Sequence, residues 1–105
     1  MIMRRELTPS QRLWTEVFGL YGLLKLDGTG VLAMVDRLPS GEARAIRLSF
    51  GFEVAPLSYE ELSKKLLRFD GRQGVARETA RLEVKRAIRH LRRPSWRKDW
   101  DGTRK

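Results

Sequence analysis

The chain has 105 residues, no cysteine and a formal net charge of +9, and 41% of its residues are hydrophobic. This length predicts one small domain with a modest core, and the lack of cysteine excludes disulfides and thiolate metal sites. No apolar run approaches the roughly 18 residues of a membrane span, and no signal-peptide core follows the basic residues at the N-terminus. The composition therefore predicts a folded, cytoplasmic protein without a membrane segment.

The positive charge is concentrated in the second half of the chain. Residues 1–57 contain seven Lys and Arg against six Asp and Glu, whereas residues 58–105 contain fifteen against seven. This asymmetry indicates one basic surface that binds a polyanion, with a merely solvated surface as the alternative.

The N-terminal segment, residues 1–27, is predicted to form an amphipathic helix over Pro9–Leu26. Thr8 suits the N-cap and Pro9 suits the first helical position. The apolar side chains that follow cover a wider surface than one buried face needs. That surface suits either a central core helix or a homodimer contact through Leu13, Trp14, Val17, Phe18 and Tyr21.

A break follows at Asp27-Gly28-Thr29-Gly30, which is predicted to be a turn. It is not a phosphate loop, because no Gly-Lys-Ser/Thr follows it. The next stretch, residues 31–54, fits two structures. Alternating apolar side chains around a Pro39–Glu42 turn predict a strand hairpin, as in a winged-helix protein, and the local pattern slightly favours it. Alternatively, Ser40 caps a helix that Gly51 ends.

Two helices separated by a turn are predicted next. Ser58 and Glu61 form a capping box, which predicts a helix over Ser58–Arg68 that stops before Asp70-Gly71. The second helix, Ala76–Arg93, has apolar residues at spacings of three and four, with basic residues on its other side.

The second helix stops before Pro94. Residues 96–105 form a basic C-terminal tail, which either frays or folds back onto the body through Trp96 and Trp100.

The order of these features resembles the fourth conserved region of bacterial sigma factors of the sigma-70 type, a helix-turn-helix that binds promoter DNA. The segments LSYEELSKKL, GVARET and RAIRHLRRPS are similar to the two DNA-binding helices of that region. The segment DRLPSGEARAIRLSFGFEVAPLSYEEL is similar to the part of the region that precedes them. The resemblance implies an all-α bundle of about five helices. Residues 28–95 would be the helix-turn-helix domain, with helices over Val31–Leu38 and Ser40–Phe50 in place of the hairpin and Ala76–Arg93 as recognition helix.

This resemblance also implies the site residues. Base contacts fall on Arg77, Glu78 and Arg81, because arginine can bond guanine and glutamate can accept from cytosine. Phosphate contacts are expected from Ser58, Lys64, Lys65, Arg72, Lys85, Arg86 and Arg89. Docking onto the flap of RNA polymerase is expected from Val31, Leu32, Val35, Leu38, Ile46 and Phe50, with an ordinary core as the alternative use of these side chains.

The chain departs from the family in three respects. Leu82 stands where the family usually has a polar base-reading residue. The connection from Leu66 to Gln73 is about seven residues longer than the family's turn. The chain has no room for the regions that melt DNA. These departures leave an alternative function, an anti-sigma or polymerase-binding protein that does not bind DNA.

Catalysis, metals and cofactors are not predicted. The sole histidine, His90, has no acidic or nucleophilic partner near it in the sequence, and it is interpreted as a surface residue. Asp70 and the Asp99/Asp101 pair are too sparse for a metal loop. The expectation is a DNA-binding transcription regulator rather than an enzyme.

Overall fold

The structure is a computed structural model that describes residues 7–19, 26–68 and 70–102. Within these residues it contains α-helices and one short 3₁₀ turn, and the strand-like features are isolated bridges. The all-α prediction is therefore confirmed, and the strand hairpin at 31–54 is wrong. The helices are α1 (Pro9–Phe18), α2 (Gly28–Asp36), α3 (Ser40–Phe50), α4 (Tyr59–Lys65), α5 (Arg77–Leu91) and α6 (Arg97–Asp101).

Helix α1 begins as predicted and ends earlier. The Thr8 hydroxyl accepts from the Gln11 backbone N–H, the Gln11 side chain accepts from the Thr8 N–H, and Pro9 occupies the first turn. The helix stops at Phe18 because Gly19 has φ +81°, a conformation that favours glycine. The prediction that one helix continues to Leu26 is wrong, since Leu26 is not helical; residues 20–25 lie outside the described part.

Helix α2 begins inside the stretch that was predicted to be a turn. The Asp27 carboxylate accepts from the Thr29 N–H at 3.2 Å, so Asp27 is an N-cap and Gly28-Thr29-Gly30 forms the first helical turn. An N-cap aspartate compensates for two glycines of low helix propensity. The resemblance predicted Val31–Leu38, so the existence of this helix is confirmed and its start is three residues earlier.

Helix α3 matches the predicted Ser40–Phe50 at both ends. Pro39 rather than Ser40 is its N-cap, and Gly51 ends it in the left-handed conformation at φ +88°. Glycine is required there also because a Cβ on Gly51 would lie 2.9 Å from Pro56 Cγ. Helix α4 starts with the predicted Ser58–Glu61 capping box but ends at Lys65, short of the predicted Arg68.

The segment between α4 and α5 reverses the chain direction, and its described residues, 66–68 and 70–75, are here called the connecting hairpin. Leu67 and Gln73 form an antiparallel bridge, and the Gly74 N–H donates to the Leu66 carbonyl at 2.7 Å. Leu66 adopts extended backbone angles, which ends α4. The Val75 N–H then donates to the Ser63 carbonyl at 2.7 Å, which fixes the entry of the chain into α5 against α4.

Helix α5 is the helix on which the fold is assembled. It packs mainly on α3 and α4, and α1 also contacts both α3 and α5. The predicted spacing is confirmed, because the side chains that this helix buries are Ala80, Val84, Ala87, Ile88 and Leu91.

The C-terminal segment belongs to the core. Trp100 in α6 is fully buried, its indole Nε1–H donates to the Leu91 carbonyl at 2.8 Å, and its ring packs edge-on against Trp14 at 5.6 Å. Trp96 is partly buried, with the Arg37 guanidinium 4.7 Å from its ring. The alternative in which both tryptophans fold back onto the body is therefore confirmed, and a frayed tail is wrong for residues 96–102.

Candidate nucleic-acid interface

The outward face of α5 is the strongest candidate for a binding surface. Its buried residues lie on the side that contacts α3 and α4, so the opposite side is left to solvent. The exposed residues of this helix are mostly charged, and they include Arg77, Glu78, Leu82, Lys85, Arg86 and Arg89.

Three of these cations have no ion-pair partner in the described part of the chain. Among the described residues, no carboxylate forms a salt bridge with Arg77, Lys85 or Arg89, and all three side chains are exposed. Lys85 and Arg89 are four residues apart, about one helical turn, and Arg77 lies eight residues, about two turns, before Lys85. The three side chains therefore follow one row of i, i+4 positions along the helix. The surface therefore carries a line of free positive charge along α5.

Glu78 and Arg81, both predicted to contact bases, are bound to each other. The Arg81 Nε donates to both Glu78 carboxylate oxygens, at 3.1 and 3.0 Å, and its terminal nitrogen also bonds Oε1. The donated hydrogen bond from Arg81 lowers the pKa of Glu78, and the carboxylate raises the pKa of Arg81. Both groups are therefore charged at neutral pH and are held in one geometry before any ligand arrives.

Leu82 lies in the middle of this charged face. Its side chain is 46% exposed, and Glu78 and Arg86 flank it one turn away on either side.

Some of the side chains predicted to contact phosphates are exposed without an ion pair among the described residues, and others already bind a carboxylate. Lys64, Lys65 and Arg72 are exposed, although the Arg72 Nε lies 3.9 Å from the Asp70 carboxylate. Arg86 forms a salt bridge with Glu83 at 3.3 Å.

Ser58 does not have the role that was predicted for it. Its backbone N–H donates to Glu61 Oε1 at 3.1 Å, so this N–H is not available to a phosphate. The hydrogen bond from Ser58 lowers the pKa of Glu61, which therefore keeps negative charge at this helix end. Ser58 does lie near the other candidates, since it lines one cleft of about 480 Å³ together with Tyr59, Arg77 and Lys85.

The side chains predicted to dock onto polymerase mostly form the core. Val31, Val35 and Ile46 are fully buried, Leu38 is buried, and Leu32 and Phe50 are partly buried. The periodic spacing of these side chains places them on helix surfaces that face the core. The prediction that the buried ones dock onto polymerase is therefore wrong, and the alternative that they form an ordinary core is confirmed.

The candidate dimer surface on α1 is occupied in the same way. Leu13, Trp14 and Val17 are buried, and Phe18 packs against both Trp14 and Trp100. These residues are not free to contact a second copy. Tyr21 lies outside the described residues.

The sequence analysis did not find one polar pair in the interior. His90 Nδ1 lies 2.5 Å from Glu42 Oε1, and the Glu42 side chain is only 6% exposed. The prediction that His90 is a surface residue is therefore wrong, since it joins α5 to α3. The two residues are 48 positions apart, and no local pattern connects them.

Two kinds of site were also sought in the described part of the chain. No group of three or more His, Cys, Asp or Glu side chains there is arranged to hold a metal ion. No helix in those residues has both the length and the apolar character needed to cross a bilayer.

Two arginines, Arg37 and Arg92, stabilise the fold instead of widening the charged face. Arg92 donates to the carbonyls of Glu16 and Val17 at the end of α1, and Arg37 forms a salt bridge with Asp99 at 2.7 Å. The free charge is therefore concentrated on α5 and its surroundings.

Comparison with known proteins adds no relative, since no protein-family model, no curated protein and no solved structure matches this chain.

Proposed function

We propose that this protein is a DNA-binding transcription regulator that resembles region four of bacterial sigma factors, with α4 and α5 as a helix-turn-helix. The observation that carries the proposal is the line of exposed, unneutralised cations Arg77, Lys85 and Arg89 on the outward face of α5. The major groove of DNA admits an α-helix, and cations without internal partners can neutralise phosphates without first breaking an ion pair.

In this proposal the N-terminal part of α5 contacts base edges. Arg77 is free to bond the O6 and N7 of a guanine, and the Glu78–Arg81 pair offers an acceptor for cytosine N4 beside donors for guanine. Leu82, one turn further on, offers an apolar contact for a thymine methyl group. The ion pair limits the rotamers of Arg81, which reduces the entropy lost on binding.

The remaining cations would position the duplex. Lys85 and Arg89 lie further along α5, and Lys64 and Lys65 lie at the C-terminal end of α4. Phosphate contacts give affinity that falls steeply with salt but do not select sequence. Each such contact contributes about −0.9 to the slope of log K against log salt.

The test begins with selection of bound sequences from a random duplex pool, with and without core RNA polymerase. Enrichment only with polymerase would identify a sigma-like cofactor that acts on the enzyme and promoter together. On the enriched duplex, we expect Arg77→Ala and Arg81→Ala each to weaken binding about tenfold and to relax the preference at one base pair. Fluorescence anisotropy at several salt concentrations measures both affinity and slope.

Two further variants separate the roles. Lys85→Ala and Arg89→Ala should each reduce the salt slope by about 0.9 and weaken binding equally for all sequences. Lys98→Ala is the matched control, because it removes one exposed positive charge from α6 and not from the outward face of α5. The proposal is refuted if the full chain binds no duplex with or without polymerase, or if Lys98→Ala weakens binding as much as the α5 variants do.

A second function, binding to polymerase or a sigma factor without DNA contact, is favoured by one observation. Leu82 exposes an apolar side chain where a base-contacting polar residue would otherwise stand. Retention of the chain by core RNA polymerase in the absence of DNA, with no duplex binding by the free chain, would support this function over the first.

A further inference from the structure

A groove separate from the proposed DNA face lies between α3, the connecting hairpin and α5. Its volume is about 460 Å³. One wall is polar and comes from α3, and the other is apolar and comes from the hairpin. The lining residues used below are Arg44 and Arg47 from α3, Leu66, Leu67 and Arg68 from the hairpin, and Glu83 from α5.

The first observation is an arginine without a partner. The Nε of Arg44 is buried and makes no hydrogen bond, and no carboxylate of the described residues forms a salt bridge with this side chain. Most buried donors in folded proteins are paired, because an unpaired one destabilises the fold. Arg47, one turn along the same helix, is bound by both Asp36 at 2.9 Å and Glu53 at 3.0 Å. Within the described residues, Arg47 therefore has two carboxylate partners and Arg44 has none.

The net charge of the groove is positive. Glu83 is its acidic residue, and that carboxylate is 3.3 Å from Arg86 Nη1. Arg68 donates through its Nε to the Gly74 carbonyl at 2.6 Å, which holds the side chain at the rim and leaves its charge unneutralised. Arg44 and Arg68 therefore both attract an anionic group.

The second observation is the apolar wall. Leu66 is buried and packs in the core, whereas Leu67, the next residue, is 61% exposed at the groove. The Leu67–Gln73 bridge and the Gly74–Leu66 hydrogen bond hold this wall in place. An aliphatic side chain that enters the groove would cover Leu67 and gain about 25 cal/mol per Å² of apolar surface removed from water.

We infer that this groove binds an extended segment of a partner protein that carries a carboxylate beside a large aliphatic or aromatic side chain. The carboxylate binds Arg44, and the apolar side chain packs on Leu67. A purely acidic ligand would leave Leu67 exposed, and a purely apolar one would leave Arg44 unpaired.

The groove opens beside the outward face of α5. Thr79 and Glu83, which line it, lie two residues after Arg77 and Arg81, which places them about 160° from those two arginines around α5. Leu82 is nearer, about 60° from Thr79 and about 100° from Glu83. The inference does not depend on the proposed DNA binding, since none of its residues is used there.

The test is selection of peptides on the full chain from a phage-displayed library of random peptides. We expect the enriched sequences to carry Asp or Glu next to Leu, Ile, Met or Phe. Calorimetry with the best synthetic peptide should show a loss of about thirtyfold for Arg44→Gln and about fivefold for Leu67→Ser. Because Leu67 is exposed, its substitution leaves the core intact and remains informative if Arg44→Gln does not fold.

Arg89→Gln is the control, since it removes the same charge from the outward face of α5 and should leave peptide affinity unchanged. The inference is overturned if no peptide is enriched, if enriched peptides lack acidic residues, or if Leu67→Ser binds as tightly as the natural chain. It is also overturned if the peptides are purely acidic and are displaced by duplex, because they then bind the DNA face.

Discussion

Replacing His90 with alanine is expected to destabilise the fold through Glu42, a buried carboxylate that would lose its partner. The two side chains join α5 to α3 with a separation of 2.5 Å, and the Glu42 side chain is 6% exposed. Removing one member of a buried pair typically costs about 3–5 kcal/mol, because the other is left buried and uncompensated. His90 is 27% exposed, so water can partly replace it, and we expect the lower value, about 3 kcal/mol.

Urea unfolding followed by tryptophan fluorescence measures this cost, since Trp14 and Trp100 are both buried. The free energy of unfolding falls by about 2 kcal/mol per molar urea, so a loss of about 3 kcal/mol should lower the urea midpoint by about 1.5 M. A small domain is stable by only about 5–15 kcal/mol, so this loss is a large part of the total. Arg89→Ala, on the adjacent exposed position, is the control and should change stability by less than about 0.5 kcal/mol.

A double variant separates the charge effect from lost packing. Glu42→Gln in the His90→Ala background replaces the unpaired carboxylate with a neutral amide, so part of the stability should return. If the double variant is no more stable than His90→Ala, the cost does not come from an uncompensated carboxylate. A midpoint unchanged in His90→Ala would show that the pair does not stabilise the fold at all.

Two other perturbations concern charges at helix ends. Glu78→Gln releases Arg81 from its ion pair, so we expect tighter binding to random-sequence duplex, a steeper salt dependence and a weaker preference for a selected site. Anisotropy titrations on selected and scrambled duplexes measure this, and unchanged affinity for the scrambled duplex would contradict it. At the start of α4, the Ser58 N–H lowers the folded-state pKa of Glu61, so the stability contributed by Glu61 is complete above the ordinary pKa of a glutamate. That contribution is lost as pH falls through the lowered value, and the urea midpoints of the natural chain and Glu61→Gln should converge there; a difference that persists in acid would contradict this origin.

Local signals located the helices most accurately where a cap was visible. The Ser58–Glu61 capping box, the Thr8–Pro9 start and the Gly51 stop all appear in the structure at the predicted positions. The strand alternative for residues 31–54 came from alternation, which short amphipathic helices can also show.

The errors came from features whose effect depends on tertiary context. The predicted helix Pro9–Leu26 runs through Gly19, but this glycine takes a positive φ and ends α1. Conversely, the predicted turn at Asp27-Gly28-Thr29-Gly30 is the start of a helix, because Asp27 is its N-cap. A glycine can end or begin a helix, and its neighbours decide between these outcomes.

The candidate site was only partly accessible to sequence reasoning. Charge and periodicity located the outward face of α5, and the residues of that face are exposed as expected. Periodicity could not separate a docking surface from a core, which is why Val31, Val35 and Ile46 were assigned to both. The pairing of His90 with Glu42 and the isolation of Arg44 arise from contacts between distant segments, and no spacing rule reveals them.

The position of Trp100 has a consequence for how the chain folds during synthesis. This side chain packs edge-on against Trp14 and Phe18, so the aromatic packing around α1 is incomplete until residue 100 has left the ribosome. Translation proceeds at about 5–20 residues per second, so the N-terminal helix would wait several seconds for this partner. A nascent chain arrested before α6 should therefore expose aromatic surface and bind chaperones, and release of only a few more residues should end that binding.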